Sequence, residues 1–122
     1  MLLKFSCNLH VNQGRKYFFL GASSMYKDIK EILICAYLMD SNFINEDIFT
    51  LENSAITSEF IGTESWDVDI DGDFVEIYSS VDPDNKEYWA RIPRKKLLLA
   101  LKKWKTFIER EPVDGYEEIV EI

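Results

Sequence analysis

Polar and apolar residues alternate along the start of the chain, which predicts a strand with one buried face. The apolar positions of this strand are Leu3, Phe5, Cys7, Leu9 and Val11. Residues 12–15 have the composition of a turn, and the aromatic-rich residues 16–20 predict a second strand that ends at Gly21.

Helical spacing of apolar residues appears twice. Ser23 or Ser24 is placed to cap a first helix over residues 25–40, whose apolar positions are Met25, Ile29, Ile32, Leu33, Ala36 and Met39. Pro93 suits the first turn of a second helix, where its missing N–H is not needed. That helix carries the apolar stripe Leu97, Leu101, Trp104 and Ile108, and it stops before Pro112.

The pattern is weakest between residues 41 and 64. Its first apolar group fits either a short helix or a strand and consists of Phe43, Ile44, Ile48, Phe49 and Leu51. Residues 55–61 fit a strand, and residues 62–64 fit a turn.

Residues 65–81 give the clearest hairpin, because alternating residues surround an Asp71-Gly72 turn signal. With those two residues in the turn, Val68 pairs with Val75, and Asp67 lies opposite Glu76. One face is then apolar and carries Trp66, Val68, Ile70, Val75 and Ile77. The other face carries Asp67, Asp69, Phe74, Glu76 and Tyr78.

Two further strands complete the predicted elements, one over residues 87–92 and a short acidic one over residues 116–122. Together the elements predict one α+β domain over residues 1–122. We expect an antiparallel sheet of about five or six strands with two main helices packed on it. A chain of this length buries about two-thirds of its unfolded surface, which is enough for a core.

Charge is distributed unevenly along the chain, whose net charge is −8. No lysine or arginine occurs between Glu31 and Asn85. That stretch contains fourteen carboxylates: Glu31, Asp40, Glu46, Asp47, Glu52, Glu59, Glu64, Asp67, Asp69, Asp71, Asp73, Glu76, Asp82 and Asp84. Such a charge disfavours nucleic acid and anionic membranes as partners, and it favours a basic protein.

The acidic side of the hairpin is the candidate binding site, because Phe74 and Tyr78 lie among the carboxylates Asp67, Asp69 and Glu76. Carboxylates around aromatic anchors suit a basic protein surface. Two structural interpretations stay open: an acidic strand edge that prevents aggregation, or a face covered by a helix. The second helix carries seven basic residues, which favours internal neutralisation of the acidic stretch over an RNA site.

No pattern indicates catalysis, a cofactor or a metal centre. His10, Cys7 and Cys35 have no partner at a recognisable spacing. The segment Asp67–Asp73 resembles half of a calcium loop, but its twelfth position is Tyr78 instead of glutamate, so calcium binding is disfavoured. We expect a non-enzymatic cytoplasmic protein with reduced thiols, a Cys7–Cys35 bridge being the less favoured alternative. No apolar run approaches the length of a membrane span.

The second half of the chain resembles small bacterial immunity proteins of polymorphic-toxin and contact-dependent growth inhibition systems. The similarity lies in the hairpin over residues 66–78, in Pro93, and in the helical segment over residues 98–108, which reads A-L-x-x-W-x-x-F from Ala100. The resemblance implies a single acidic cytoplasmic domain that blocks a cognate toxin, many of these toxins being basic nucleases.

Charge and resemblance lead to the same expectation, a non-catalytic toxin-neutralising protein. In it, Asp67, Asp69 and Glu76 pair with basic residues of the toxin, and Phe74 and Tyr78 are the anchors. The alternative is a structural or regulatory protein that assembles with itself, the basic helix of one copy contacting the acidic hairpin of the next.

Overall fold

Two antiparallel sheets and three helices build the fold, in a computed structural model that describes residues 1–122. The elements in chain order are β1 (Leu2–Asn12), β2 (Arg15–Ser24), α1 (Ile29–Asp40), α2 (Ile44–Glu52), β3 (Ser58–Gly62), β4 (Trp66–Asp71), β5 (Phe74–Ser79), a 3-10 turn (Lys86–Tyr88), β6 (Trp89–Pro93), α3 (Arg94–Ile108) and β7 (Tyr116–Glu121).

The predicted α+β class is confirmed, with a difference in how the strands are divided. They form a three-stranded sheet of order β2-β1-β7 and a four-stranded sheet of order β3-β4-β5-β6, where one sheet was expected. The division arises because β7 returns to pair with β1 through Leu2–Cys7, which leaves the meander of β3 to β6 as a sheet of its own. The helix α2 is additional to the two main helices.

One hydrophobic core of 24 buried residues joins both sheets to the helices. From the first sheet, the Phe5 ring packs against Trp104 and Phe107 of α3, with ring centroids 5.0 and 5.4 Å away. From the second sheet, alternate residues of β4 and β5 are buried, namely Val68, Ile70, Val75 and Ile77. Period-2 alternation therefore gives each sheet one face on the core.

The first helix begins later than predicted, at Ile29. Asp28 is its cap, since its carboxylate accepts the backbone N–H of Lys30 at 2.8 Å. The predicted serine caps are wrong because β2 continues to Ser24, which pairs with Leu3 of β1. Strand pairing with β1 thus takes precedence over the local capping signal.

The ambiguous middle segment contains both a helix and a strand, α2 and β3. Inside α2, Asp47 is buried and accepts a hydrogen bond of 2.6 Å from the hydroxyl of Tyr37 on α1. Burial raises the pKa of Asp47, and the nearby Glu46 raises it further, while the Tyr37 hydrogen bond lowers it. This buried contact fixes α2 against α1, and no local sequence pattern encodes it.

Replacing Asp47 with asparagine is expected to stabilise the fold at neutral pH, because asparagine still accepts the Tyr37 hydrogen bond but carries no charge to desolvate. A raised folded pKa means that the contribution of Asp47 to stability is greatest below its unfolded pKa of about 3.9 and is lost as pH rises through its folded pKa. Urea midpoints at pH 7 and pH 4 measure the effect. Asp47→Asn should exceed wild type at pH 7 and match it at pH 4.

A comparison variant, Tyr37→Phe, removes the hydrogen-bond donor and leaves the carboxylate buried without it. That variant is expected to lose about 1–3 kcal/mol at pH 7. The two variants need not change stability by equal amounts. A loss of stability in Asp47→Asn at pH 7 would contradict the assigned direction of the pKa shift.

Both cysteines are free and buried, so the alternative Cys7–Cys35 bridge is not formed. Burial raises the pKa of the Cys35 thiol to about 12, and the nearby Glu31 carboxylate adds to the shift. None of the three helices combines the length and the apolar character that crossing a membrane requires.

Candidate binding face

The acidic hairpin formed by β4 and β5 turns at Gly72-Asp73, one residue later than the predicted Asp71-Gly72. Gly72 occupies the first central position with φ of +59°, the place that a glycine takes in a type II′ turn. The predicted pairs are therefore wrong by two residues: Asp69 lies opposite Glu76, and Asp67 lies opposite Tyr78. A shift of two leaves both faces as predicted, because side chains repeat every two residues.

The side of the four-stranded sheet that points away from the core, called here the outer face, is not covered by a helix. It carries Phe60 from β3, Asp67, Asp69 and Asp71 from β4, Phe74, Glu76 and Tyr78 from β5, and Trp89 and Arg91 from β6. The Phe60 side chain is 54% exposed and that of Phe74 is 42% exposed. The open interpretation in which a helix covers this face is therefore wrong.

The other open interpretation, a protected sheet edge, also fails on topology. The strands β4 and β5 are the two central strands of the sheet, and its edges are β3 and β6. Carboxylates on a central strand do not prevent pairing at an edge. The outer face thus remains an exposed acidic and aromatic surface.

The half of the outer face next to the turn is partly neutralised within the chain. Arg91 lies opposite Glu76 and donates from one guanidinium nitrogen to Glu76 at 3.1 Å and to Asp71 at 3.0 Å. The same guanidinium lies 4.7 Å from the centre of the Phe74 ring. The Asp71 hydrogen bond, together with that of Glu76, raises the pKa of Arg91, which stays charged. Glu76 and Phe74 therefore already have a basic neighbour.

Two carboxylates of β4, which β5 separates from Arg91, keep their negative charge. Asp67 accepts from the Ser80 hydroxyl at 2.9 Å, and Asp69 accepts from the Tyr78 hydroxyl at 3.0 Å, but neither forms a salt bridge. Partial burial, and after it the hydrogen bond to Asp69, raises the pKa of Tyr78 to about 12. Tyr78 therefore remains protonated at neutral pH and holds the Asp69 carboxylate in one orientation.

The basic helix α3 does not neutralise the outer face. Its lysines contact other parts of the chain instead. Lys102 forms a 2.7 Å salt bridge with Glu52 at the end of α2. Lys96 and Lys103 donate to the carbonyl oxygens of Ile122 and Glu121, each at 2.7 Å. The predicted internal neutralisation is therefore local, and Asp67 and Asp69 lie outside it.

Phe60 and Arg91 are two residues of the face that the sequence reasoning missed. Phe60 lies in the segment whose pattern was ambiguous, and it reaches the face because β3 pairs with β4 so that Phe60 is opposite Asp69. Arg91 lies outside the lysine-free stretch and joins the acids only through cross-strand pairing. The usable signal was the predicted strand over residues 87–92, whose pairing with β5 places Arg91 beside Glu76.

A calcium site is not assembled. No group of three or more histidine, cysteine, aspartate or glutamate side chains converges anywhere in the chain. In the calcium-like segment, Asp67, Asp69 and Asp71 are spread along a strand, and Asp73 lies in the turn. Extended backbone keeps these carboxylates apart, whereas a calcium loop gathers them around one ion.

The fold and the face define a small α+β domain with one uncovered, acidic sheet surface. The chain belongs to DUF5376, a family of unknown function that matches residues 1–122. It is also similar to a UPF0275 protein of Pasteurella multocida, with 35% identity over 80 residues. That match covers 57% of this chain and 58% of the relative, so it spans little more than half of the relative's length. No solved structure gives a significant match.

Proposed function

We propose that this chain is a non-catalytic immunity protein that binds and neutralises a cognate, basic, nuclease-type toxin in the cytoplasm. The observation that carries the proposal is the outer face, where Asp67 and Asp69 have no basic partner and lie beside exposed aromatic rings. Its chemistry is that of a surface for lysine and arginine side chains, and it involves no catalysis and no cofactor.

The half of the face around Asp67 and Asp69 is the centre of the proposed contact. Each carboxylate is held by one neutral hydroxyl, Ser80 for Asp67 and Tyr78 for Asp69. The remaining acceptor positions of both groups are available to a guanidinium or ammonium group. Because the carboxylates are already oriented, less conformational freedom is lost when a partner binds.

Aromatic anchoring comes from Phe60 and Tyr78 in this proposal, with Phe74 at the margin. Phe60 projects next to Asp69, with which it pairs across β3 and β4. Phe74 lies against Arg91, so a basic partner approaching it meets a positive charge first. The Arg91 half of the face, whose guanidinium is already shared by Asp71 and Glu76, therefore attracts basic groups less than the surface around Asp67 and Asp69, which helps to fix the orientation of the partner.

Long-range attraction is supplied by the rest of the acidic stretch. Of its fourteen carboxylates, only Glu52, Asp71 and Glu76 form salt bridges. The exposed carboxylates that form no salt bridge raise the rate at which a basic protein encounters the face, and salt screens this attraction. Occupying the phosphate-binding groups of a nuclease with carboxylates would exclude its substrate.

The toxin polypeptide is sought next to the gene for this chain, because a toxin and its immunity protein must be inherited together. The carboxyl-terminal domain of the neighbouring product is expressed alone and together with this chain. The proposal requires that the domain alone stops bacterial growth and that co-expression restores it. Absence of both rescue and a purified complex would contradict the proposed function.

The double variant Asp67→Asn/Asp69→Asn tests the face itself. Asparagine keeps the hydrogen bonds from Ser80 and Tyr78, so the fold is expected to remain. The association rate with the toxin domain, measured by stopped flow at low salt, should fall about tenfold. The difference should shrink as salt is added, because screening removes the same attraction from the wild type.

The matched control is Glu111→Gln/Glu121→Gln, which changes the net charge equally at two exposed sites outside both the face and the lysine-free stretch. A small change in rate is expected for the control. An equal fall for the two double variants would mean that total charge, and not the outer face, sets the association rate.

A further inference from the structure

The strands β1 and β2 continue past the core as a two-stranded arm, residues 8–19. On one side β7 pairs with β1 only as far as Cys7, and every residue from 8 to 19 is exposed. The arm closes at Gln13-Gly14, both with positive φ, as in a type I′ turn. An isolated two-stranded ribbon is marginally stable in water, so a long exposed arm calls for a function.

Both faces of the arm carry apolar side chains. Leu9, Val11 and Phe18 extend the face that is buried further along β1, and the Val11 side chain is 64% exposed. On the opposite face His10 stacks on Tyr17 with ring centroids 5.6 Å apart, and Phe19 lies 5.8 Å away. A ribbon with one face in solvent normally has polar residues there. Two apolar faces indicate that the arm is covered by another molecule.

The charge of the arm specifies the chemistry of that molecule. The first 27 residues contain no aspartate or glutamate. Arg15 and Lys16 at the tip, and Lys27 beyond β2, form no salt bridge within the chain. A surface that is complementary to basic groups and exposed rings must itself carry carboxylates and apolar side chains.

This chain has such a surface in its outer face, where Asp67 and Asp69 lack basic partners and Phe60 is exposed. Within one copy the two do not meet: the arm forms no hydrogen bond or ion pair with the outer face. The hydrogen bond of the arm to the rest of the chain runs from the Leu9 N–H to Asp114 at 2.8 Å. The complementary surfaces are therefore both free in a single copy.

We propose that the arm of one copy docks on the outer face of a second copy through the side that carries Tyr17 and Phe19. Arg15 lies on that side and faces Asp67 and Asp69, while Lys16, on the other side of the ribbon, adds positive charge at the margin of the contact. When both copies do so at once, the contact closes around a two-fold axis and gives a dimer. The proposal uses the same face as toxin binding but does not depend on it. If both hold, dimer formation and toxin binding compete for the outer face.

Sedimentation velocity over a concentration series tests the proposal on the full chain. The mean mass should rise from 14.3 kDa toward that of a dimer at low salt and fall again as salt is added. The arm variant Arg15→Glu/Lys16→Glu and the face variant Asp67→Lys/Asp69→Lys each place like charges together. Each should raise the dimer Kd about a hundredfold or more.

Mixing these two variants in equal amounts is the decisive measurement. The reversed arm then meets the reversed face, and the native arm meets the native face, so every contact again joins opposite charges. The mixture is expected to recover the dimer that each variant alone has lost. Failure of the mixture to associate, with both variants folded by circular dichroism, would overturn the assigned pairing.

Replacing the aromatic rings of the arm separates the apolar contribution to dimer affinity from the electrostatic one. Tyr17→Ser/Phe19→Ser keeps the basic tip, and it should weaken the dimer at low and at high salt alike, because apolar contact is not screened. A wild-type chain that stays monomeric at every concentration in low salt would overturn the proposal. That result would leave toxin binding by the outer face standing, since its assay measures a different complex.

The helix variant Lys95→Glu/Lys105→Glu is the matched control, with the same change in net charge on α3. Its dimer Kd should stay close to that of the wild type. If this variant loses the dimer while the arm variant keeps it, assembly runs through α3, and the arm is not the docking element.

Discussion

Replacing Phe5 with alanine is expected to lower the free energy of unfolding by about 4 kcal/mol, the typical loss for a buried phenylalanine. The Phe5 side chain is 0% exposed and lies between Trp104 and Phe107, so its removal leaves a cavity at the junction of the first sheet and α3. Edge-to-face ring contacts add to the loss from burial alone. Urea denaturation followed by tryptophan fluorescence measures the change.

An exposed phenylalanine on α2 provides the control. The Phe49 side chain is 69% exposed, and Phe49→Ala should change the free energy of unfolding by no more than about 0.5 kcal/mol. Similar losses for the two variants would mean that Phe5 is not part of a cooperative core. A total stability of about 5–15 kcal/mol makes the expected difference easy to resolve.

The two sides of the hairpin could be predicted from sequence because alternation is a local property. Val68 and Ile70 are buried and Asp67 and Asp69 point outward whether the turn lies at Asp71-Gly72 or at Gly72-Asp73. The turn position itself could not be derived, since both placements give the glycine a positive φ. Local pattern thus fixes the faces, and the remaining strands of the sheet decide the register.

The length of the exposed arm could not be predicted from the alternation of polar and apolar residues in β1. The period-2 pattern of β1 continues unchanged from Phe5 to Val11, and it predicts one buried face along the whole strand. Only the first half is buried, because Trp104 and Phe107 of α3 pack over Phe5, whereas Leu9 and Val11 lie beyond that layer and are exposed. Whether a neighbouring layer reaches that far is a property of other segments, so the strand alone does not contain it.

The distribution of charge along the chain does not show which carboxylates have a basic partner. Counting basic residues along the chain isolates the lysine-free stretch, but ion pairs form between positions that are adjacent in space. Arg91 reaches Glu76 through the pairing of β5 with β6 and neutralises one of the three carboxylates of the predicted site. The part of the face whose carboxylates have no basic partner is therefore reduced to Asp67, Asp69 and their aromatic neighbours.

Arg94 connects three segments that the sequence pattern left unrelated. Its guanidinium donates to the carbonyl oxygens of Thr50, Leu51 and Asn53 at the end of α2, each at 3.0 Å. It also donates to the carbonyl oxygens of Ile56 before β3 and Gly72 in the hairpin turn, which completes a set of five hydrogen bonds. The last carbonyls of a helix lack internal partners, and a cation there is favourable.

Replacing Arg94 with alanine is expected to lower the free energy of unfolding by about 3 kcal/mol, because five carbonyl groups lose a charged donor at once. Arg94→Lys should recover only part of the loss, since an ammonium group cannot span acceptors on three segments. Hydrogen exchange should show faster opening of α2 and β3 than of β1 in Arg94→Ala.

The adjacent Lys95 is exposed and makes no comparable set of contacts, so Lys95→Ala is the matched control and should change stability by less than about 0.5 kcal/mol. If Arg94→Ala loses no more stability than Lys95→Ala, the five carbonyl groups must be solvated as well by water as by the guanidinium. A loss of exchange protection spread evenly over all amides would show that Arg94 stabilises the whole core. A loss of exchange protection confined to α2, β3 and the turn would show that Arg94 holds the acidic hairpin in place. The geometry of its hydrogen bonds favours this result.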